Sequence, residues 1–157
     1  HIRDVQDEDI KYLSWNLRAA DVHELYAIYG HTNTHASLTR SARLSEDCKV
    51  GIGRSGKPAI IMGIGRVSPR ACAVWAMATP DIKDNRSAFL RMSRPQIQKW
   101  FDNDPDLQFM YNFTHSNNTQ HHRWLRWVGA TMLPSVTFGA LGDWFVPFVI
   151  RKEPNYV

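Results

Sequence analysis

Apolar residues recur along this chain with two periods, and the change of period marks its parts. Ile2 and Val5 stand in a short opening run that predicts a strand within residues 1–6. Asp7, Glu8 and Asp9 then supply the negative charge that favours a helix N-terminus. Ile10, Leu13, Leu17 and Ala20 follow at helical spacing. Asp21 with Glu24 resembles a capping box, Val22, Leu25, Tyr26 and Tyr29 continue an apolar face, and Gly30 suits a helix C-cap. Residues 34–44 read as a further short helix with Ala36, Leu38 and Ala42 inward.

The texture becomes β-like at Cys48. Residues 49–53 and 59–67 flank the turn Ser55-Gly56-Lys57-Pro58 and predict a hairpin, and residues 71–78 add a third strand. Residues 85–101 return to the helical period. Pro95 lies inside that pattern, so the helix either kinks or restarts with Ser93 as cap and Gln96 as its partner; the shared apolar seam favours a kink. An aromatic-rich strand over 107–113, a helix over 118–128 ended by Gly129, and strands over 131–138 and 144–151 complete the order. Strands separated by single helices require crossovers and some parallel pairing, which makes this a mixed α/β or α+β domain in one piece, 1–157.

Composition narrows the class without deciding function. Hydrophobic residues make up 43% and aromatics 11%, with 6 Trp, which excludes a disordered chain. The densest apolar stretch, 138–150, is broken by Asp143 and Pro147 and is too short to span a bilayer, so no membrane partner is expected. The polar, acidic start is unlike a signal peptide. Cys48 and Cys72 form no metal-binding spacing, and His31 with His35 lacks a third ligand, so no metal is expected. The net charge of +4 invites a nucleic-acid reading. However, Arg86, Arg91, Arg94 and Lys99 on one helix, and Arg123 and Arg126 on another, are not interleaved with exposed-looking aromatics, and nucleic acid is disfavoured as a partner.

The opening Ile2-Arg3-Asp4 followed by Asp9, the element order, and the segment from Asn118 to Ala130 together resemble the GNAT-type N-acetyltransferases. In that segment an Asn starts a helix and a Gly followed by a small residue ends it. Residues 107–130, with an aromatic strand containing Asn112, then Asn118-Thr119-Gln120-His121 and Val128-Gly129-Ala130, are similar to the GNAT-like internal virion protein A family of short-tailed phages. The resemblance implies a GNAT-like, mostly antiparallel sheet of six to seven strands flanked by about four helices. It implies acetyl-CoA bound in a splay between strands 71–78 and 107–113, with the pyrophosphate at the helix start after Asn85. A helix N-terminus is a suitable place for an anion.

Carried onto this chain, the resemblance makes the backbone of Met77 and Ala78, the side chains of Lys83, Arg86 and Ser87, and Asn112 and Asn118 the cofactor contacts. Tyr29 and His31 fall on the acceptor side, and Arg123 can also reach the cofactor. His115 is the candidate acid or base at the strand end. Ser116 beside it is the second catalytic candidate, although no nucleophile elbow surrounds it and it equally suits helix capping with Asn117 or Asn118. Two departures oppose activity: Asp84, Arg86 and Ala88 stand where the family has glycine-type residues, and Leu125 stands where many members have an acidic Tyr. Two functions therefore stay open. One is a phage-type N-acetyltransferase acting on a protein amine. The other is an inactive GNAT-like phage protein that serves virion assembly or binds a host protein. The implied partner is a host or phage protein, the implied location is the host cytoplasm or the virion, and the oligomeric state is not implied.

Overall fold

The computed structural model describes residues 1–153. Its elements are β1 (Ile2–Asp4), α1 (Asp7–Asn16), α2 (Ala19–Tyr29), α3 (Thr34–Leu44), β2 (Asp47–Ile52), β3 (Pro58–Ser68), β4 (Ala71–Ala78), α4 (Arg86–Asp102), β5 (Phe109–His115), α5 (Thr119–Trp127), β6 (Thr131–Met132), β7 (Val136–Phe138) and β8 (Asp143–Arg151). A 3-10 turn, Pro80–Asn85, leads into α4. The strands form one sheet in the order β1-β2-β3-β4-β5-β8-β6, with β7 also on β8. Every pairing is antiparallel except β4 with β5.

The alternation of β3 and β4 side chains divides the core in two. Ile60, Met62, Ile64, Cys72, Val74 and Ala76 pack against Ile97, Trp100 and Phe101 of α4 and Trp124 and Leu125 of α5. Ile61 and Met77 pack on the other face against Ile10, Leu13, Leu25 and Leu38 of α1–α3. This is the two-sided burial that a sheet flanked by helices requires. Trp124 is buried and donates its indole N–H to Ser93 Oγ at 2.9 Å. Ser93 in turn donates to Phe89 C=O at 2.6 Å, so α4 runs through Pro95 as one helix and Ser93 caps no restart.

Three expectations change. Among the described residues the sheet has eight strands, because the run 131–138 is divided at Pro134: β6 pairs with Phe148 and Val149, and β7 pairs with Asp143–Phe145. Proline offers no N–H to the ladder. Five α-helices flank it, because the first apolar run breaks at Leu17 and Arg18, both extended. Arg18 N–H is bonded to Ala78 C=O at 2.8 Å, which fixes the break against the end of β4. The face of α2 is also rotated: Leu25 and Tyr29 pack on the core as expected, but Val22 and Tyr26 do not. Asp21 and Glu24 point inward with Leu25, whereas Val22 and Tyr26 are the exposed residues. There is accordingly no capping box in α2, but Gly30 does end it at φ 77°.

The turn after β7 is fitted closely to α2. Ala140 N–H donates to Ile28 C=O at 2.9 Å. Gly139 sits at φ 82°, and a Cβ there would lie 2.6 Å from Ala27 C=O. Gly142 has φ 61° but open space around it. Gly139→Ala is therefore expected to cost about 2–3 kcal/mol from clash plus left-handed backbone, and Gly142→Ala about 1 kcal/mol from backbone alone. Urea unfolding of both variants checks the order; equal losses would show that the α2 contact contributes nothing.

Candidate functional site

The single parallel pairing is short. β4 and β5 are in register only over Ala71–Ala73 and Phe109–Tyr111, and then diverge. The alternation of antiparallel bonds determines which main-chain groups face that gap. Thr79 N–H bonds Ala59 C=O at 2.9 Å, so by alternation Met77 pairs with Ile61 and Trp75 with Gly63, while Val74, Ala76 and Ala78 turn away from β3. Val74 C=O takes the Asn112 side-chain amide at 3.1 Å, which closes the base of the gap. Ala78 is closed on both sides: its N–H donates to Asp21 Oδ2 at 2.9 Å and its C=O accepts Arg18 N–H. Among the described residues, Ala76 is left as the main-chain edge open to the splay.

Two cavities meet there. One, of about 320 Å3, lies on the α4–α5 face, at the low end of the ~300–1,000 Å3 typical of small-molecule sites. Its floor is Ile60, Ala76, Phe89, Leu90 and Trp124, and its charged lining includes Arg18, Arg86 and Arg123. The other, of about 250 Å3, lies on the α1–α3 face under Tyr29, Trp75 and Phe113. Ala76, Met77 and His121 line both.

The junction is held by buried polar groups. Asp21 Oδ1 accepts the Asn118 amide at 3.0 Å, and Asn118 Oδ1 accepts Arg18 Nη2 at 3.0 Å. Asn118 thus precedes α5 without capping it by its side chain. One turn along α2, Glu24 Oε1 accepts Thr114 Oγ1 at 3.0 Å and His115 N–H at 2.6 Å. Thr114 Oγ1 also lies 3.4 Å from His121 Nδ1, and Glu24 Oε2 lies 4.0 Å from the same nitrogen. Because the Thr114 hydroxyl is directed at Glu24, its oxygen is free to accept an Nδ1–H. That assigns the lone pair of neutral His121 to Nε2. Burial lifts the Glu24 carboxyl to about 7, with the Asp21 charge adding to the shift, and lowers the His121 imidazole to about 4. Ligand atoms of Asp21, Glu24 and His121 lie within 4.8 Å of one another, but both carboxylates are already bonded to protein donors.

Of the residues expected from the sequence, Met77, Ala78 and Arg86 line the cavity on the α4–α5 face, and Tyr29 and Asn112 the other. Asn118 is one bond from the junction. Lys83 and Ser87 are exposed beside the mouth and do not line the cavity. His31 is exposed, stacked on Tyr29 at 6.0 Å. His115 and Ser116 line neither cavity. His115 Nε2 is 2.7 Å from Asp143 Oδ2 and its Nδ1 accepts Asn117 N–H, while Ser116 Oγ donates to Trp144 C=O. Arg18, Asp21, Glu24 and Thr114 were not signalled. The one clue was a pair of acids on the helical line that carries Leu17 and Leu25.

No protein-family model matches the sequence, and a search of curated proteins found no match. Solved structures do. The aminoglycoside acetyltransferase AAC(6')-Ib in complex with ribostamycin and coenzyme A superposes with TM-score 0.70 at 14% identity, covering 96% of this chain and 92% of that one. A GNAT-family acetyltransferase from Bacillus anthracis gives 0.69 at 11% identity, covering 96% and 93%. The acetyltransferase yncA from Salmonella typhimurium with acetyl-CoA gives 0.64 at 14% identity, covering 100% and 96%. The fold is the α/β fold of the GNAT acetyltransferases, as the resemblance implied.

The two buried titrations have opposite linkage. Glu24 has a folded pKa above its unfolded value of 4.5, so its contribution to stability is full below pH 4.5 and is lost as pH rises through about 7. His121 is depressed from 6.5 to about 4, so its contribution is full above pH 6.5 and is lost as pH falls to about 4. Glu24→Gln removes only the first. The stability of that variant relative to the wild type should rise by about 3 kcal/mol between pH 4.5 and 7. Parallel stability curves from denaturant titrations across that window would rule out a raised Glu24 pKa.

Proposed function

We propose that the chain is an acetyl-CoA-dependent N-acetyltransferase. The observation that carries this reading is the pair of cavities on opposite faces of the sheet, meeting at a strand splay whose one open main-chain edge is Ala76. The cavity on the α4–α5 face fits the cofactor on its own terms. An apolar trough with an amide edge suits a pantetheine arm, and Arg86 and Arg123 suit an anionic head, while Arg18 is bonded to Asp21 and Asn118 at the junction. Lys83 and Ser87 stand beside the mouth, where the phosphates would emerge. Asn112 and Asn118 shape the site by bracing its base and its junction, not by reaching outward.

Acetyl-CoA supplies the thioester whose acetyl group passes to the amine, the C–N bond forming as the C–S bond breaks. This chain's own residues handle the proton. His121 accepts it from the attacking amine at Nε2 and releases its Nδ1 proton through the Thr114 hydroxyl to Glu24. Burial holds His121 well below neutrality, so it passes the proton on, whereas Glu24 near 7 can hold it. The relay takes the place of the expected His115 as base; Leu125, fully buried in the core, offers no acid, so coenzyme A leaves as the thiolate and takes its proton from solvent.

The inactive, assembly-type reading retains one supporting observation. The turn Pro80–Asn85, which holds Asp84 at one of the glycine-type positions, is tied down by Asn85, which accepts Arg54 N–H and donates to Asp81 C=O. Calorimetric titration separates the two. Acetyl-CoA should bind, and Arg86→Glu with Arg123→Glu should weaken it by ~100-fold, with a smaller loss for exposed Lys83→Glu. No heat at millimolar acetyl-CoA would leave the assembly reading standing. With turnover in hand, kcat/KM should rise with pH to a limb near 7 that Glu24→Gln removes. A limb that survives in Glu24→Gln would take the carboxyl out of the relay.

A further inference from the structure

The cavity on the α1–α3 face restricts what amine can be acetylated. Its walls are Tyr29, Leu44, Trp75, Phe113, Phe138 and Phe148. Among the described residues, Glu24 is the one carboxylate in its lining. That carboxylate lies at the junction end, so a single positive charge can be matched, and only where an amine would meet the splay. The nitrogen-bearing side chains of the walls and Ser45 are already committed within the protein, which leaves the Tyr29 and Ser41 hydroxyls as its neutral polar groups. Trp75 Nε1 donates to Ser45 Oγ at 2.9 Å, Ser45 Oγ donates to Ser41 C=O, and Asn112 is bonded through both its amide and its oxygen. The helix at the mouth, α3, bears Arg40 and Arg43 and no acid.

We infer that the acceptor is a small monoamine carried on an apolar, flat body of the arylalkylamine class, and not a polycation or a lysine-bearing protein surface. The inference rests on the transferase reading above and deepens it. A second or third ammonium group would find no further carboxylate among the described lining residues, only hydroxyls and ring faces, and a buried charge without a counter-charge is unfavourable. A single-ring or indole body fits a space of about 250 Å3 and would cover its aromatic walls, whereas a lone lysine side chain would leave most of them uncovered. This separates the chain from its structural neighbours, one solved with ribostamycin and another named a spermidine N-acetyltransferase. It also differs from the protein amine implied by the sequence resemblance, which the lysine peptide in the test represents.

The test uses the full chain with saturating acetyl-CoA and follows thiol release with 2-phenylethylamine, tryptamine, spermidine, kanamycin and a lysine peptide. The two arylalkylamines should exceed the others in kcat/KM by ~100-fold, the size expected when one extra charge is buried without a partner. Leu44 is 66% exposed at the mouth, so Leu44→Glu should fold normally. It should raise spermidine turnover relative to tryptamine by ~10-fold. Spermidine, kanamycin or the peptide matching the arylalkylamines in the wild type would overturn the inference. So would acetyl-CoA binding without turnover of either arylalkylamine. Absence of acetyl-CoA binding, read separately by calorimetry, would remove the transferase reading itself and this acceptor with it.

Discussion

The bond from Ala78 N–H to the buried carboxylate of Asp21 is the contact on which the site depends. A buried carboxylate must be surrounded by donors, and Asp21 draws them from three places. Ala78 comes from the end of β4, Asn118 from the start of α5, and Arg18 from the break between α1 and α2. The same Arg18 holds Ala78 C=O through its main chain and Asn118 through its guanidinium. This ring fixes how α2 lies across the sheet and where α5 begins. It also closes Ala78, which makes Ala76 the edge that a ligand can pair with.

That closure sets the chemistry one turn further on. With Asp21 anchored, α2 delivers Glu24 to the end of β5, where Thr114 and His115 N–H receive it. Two groups of opposite type then share one dry junction. Desolvation disfavours the charged form of each, which raises the acid and lowers the base until neither is charged at mildly acidic pH. A neutral imidazole joined to a half-ionised carboxyl by a hydroxyl is suited to moving a proton inward, and it stands where the two cavities touch. The apolar lining of the second cavity follows from the same economy of charge: Glu24, at its junction end, is used in the junction, and no other carboxylate of the described residues lines it.

Much of the architecture could be read along the chain. The strands 2–4, 47–52, 58–68 and 71–78 and the helices 34–44 and 86–102 follow from short-range alternation, turn residues and helical spacing, and Gly30 and Gly129 end helices where left-handed backbone is needed. Where the reading failed, a distant partner decided. Asp21 and Glu24 have the spacing of a capping box, yet the cost of leaving Ala78 N–H and His115 N–H unpaired turns both inward. His115 stands at a strand end beside the expected thioester, yet its ring is taken by Asp143 and Asn117.

The sequence by itself determined the order and type of the elements and the likeness to the GNAT fold, because these depend on neighbours a few residues apart. Only the tertiary structure decided which groups face the splay. Arg18 meets Asn118 across 100 positions, Asp21 meets Ala78 across 57, and Glu24 meets Thr114 across 90. No local pattern encodes those pairs; they are chosen by the cost of leaving buried donors and acceptors without partners once the helices are packed on the sheet.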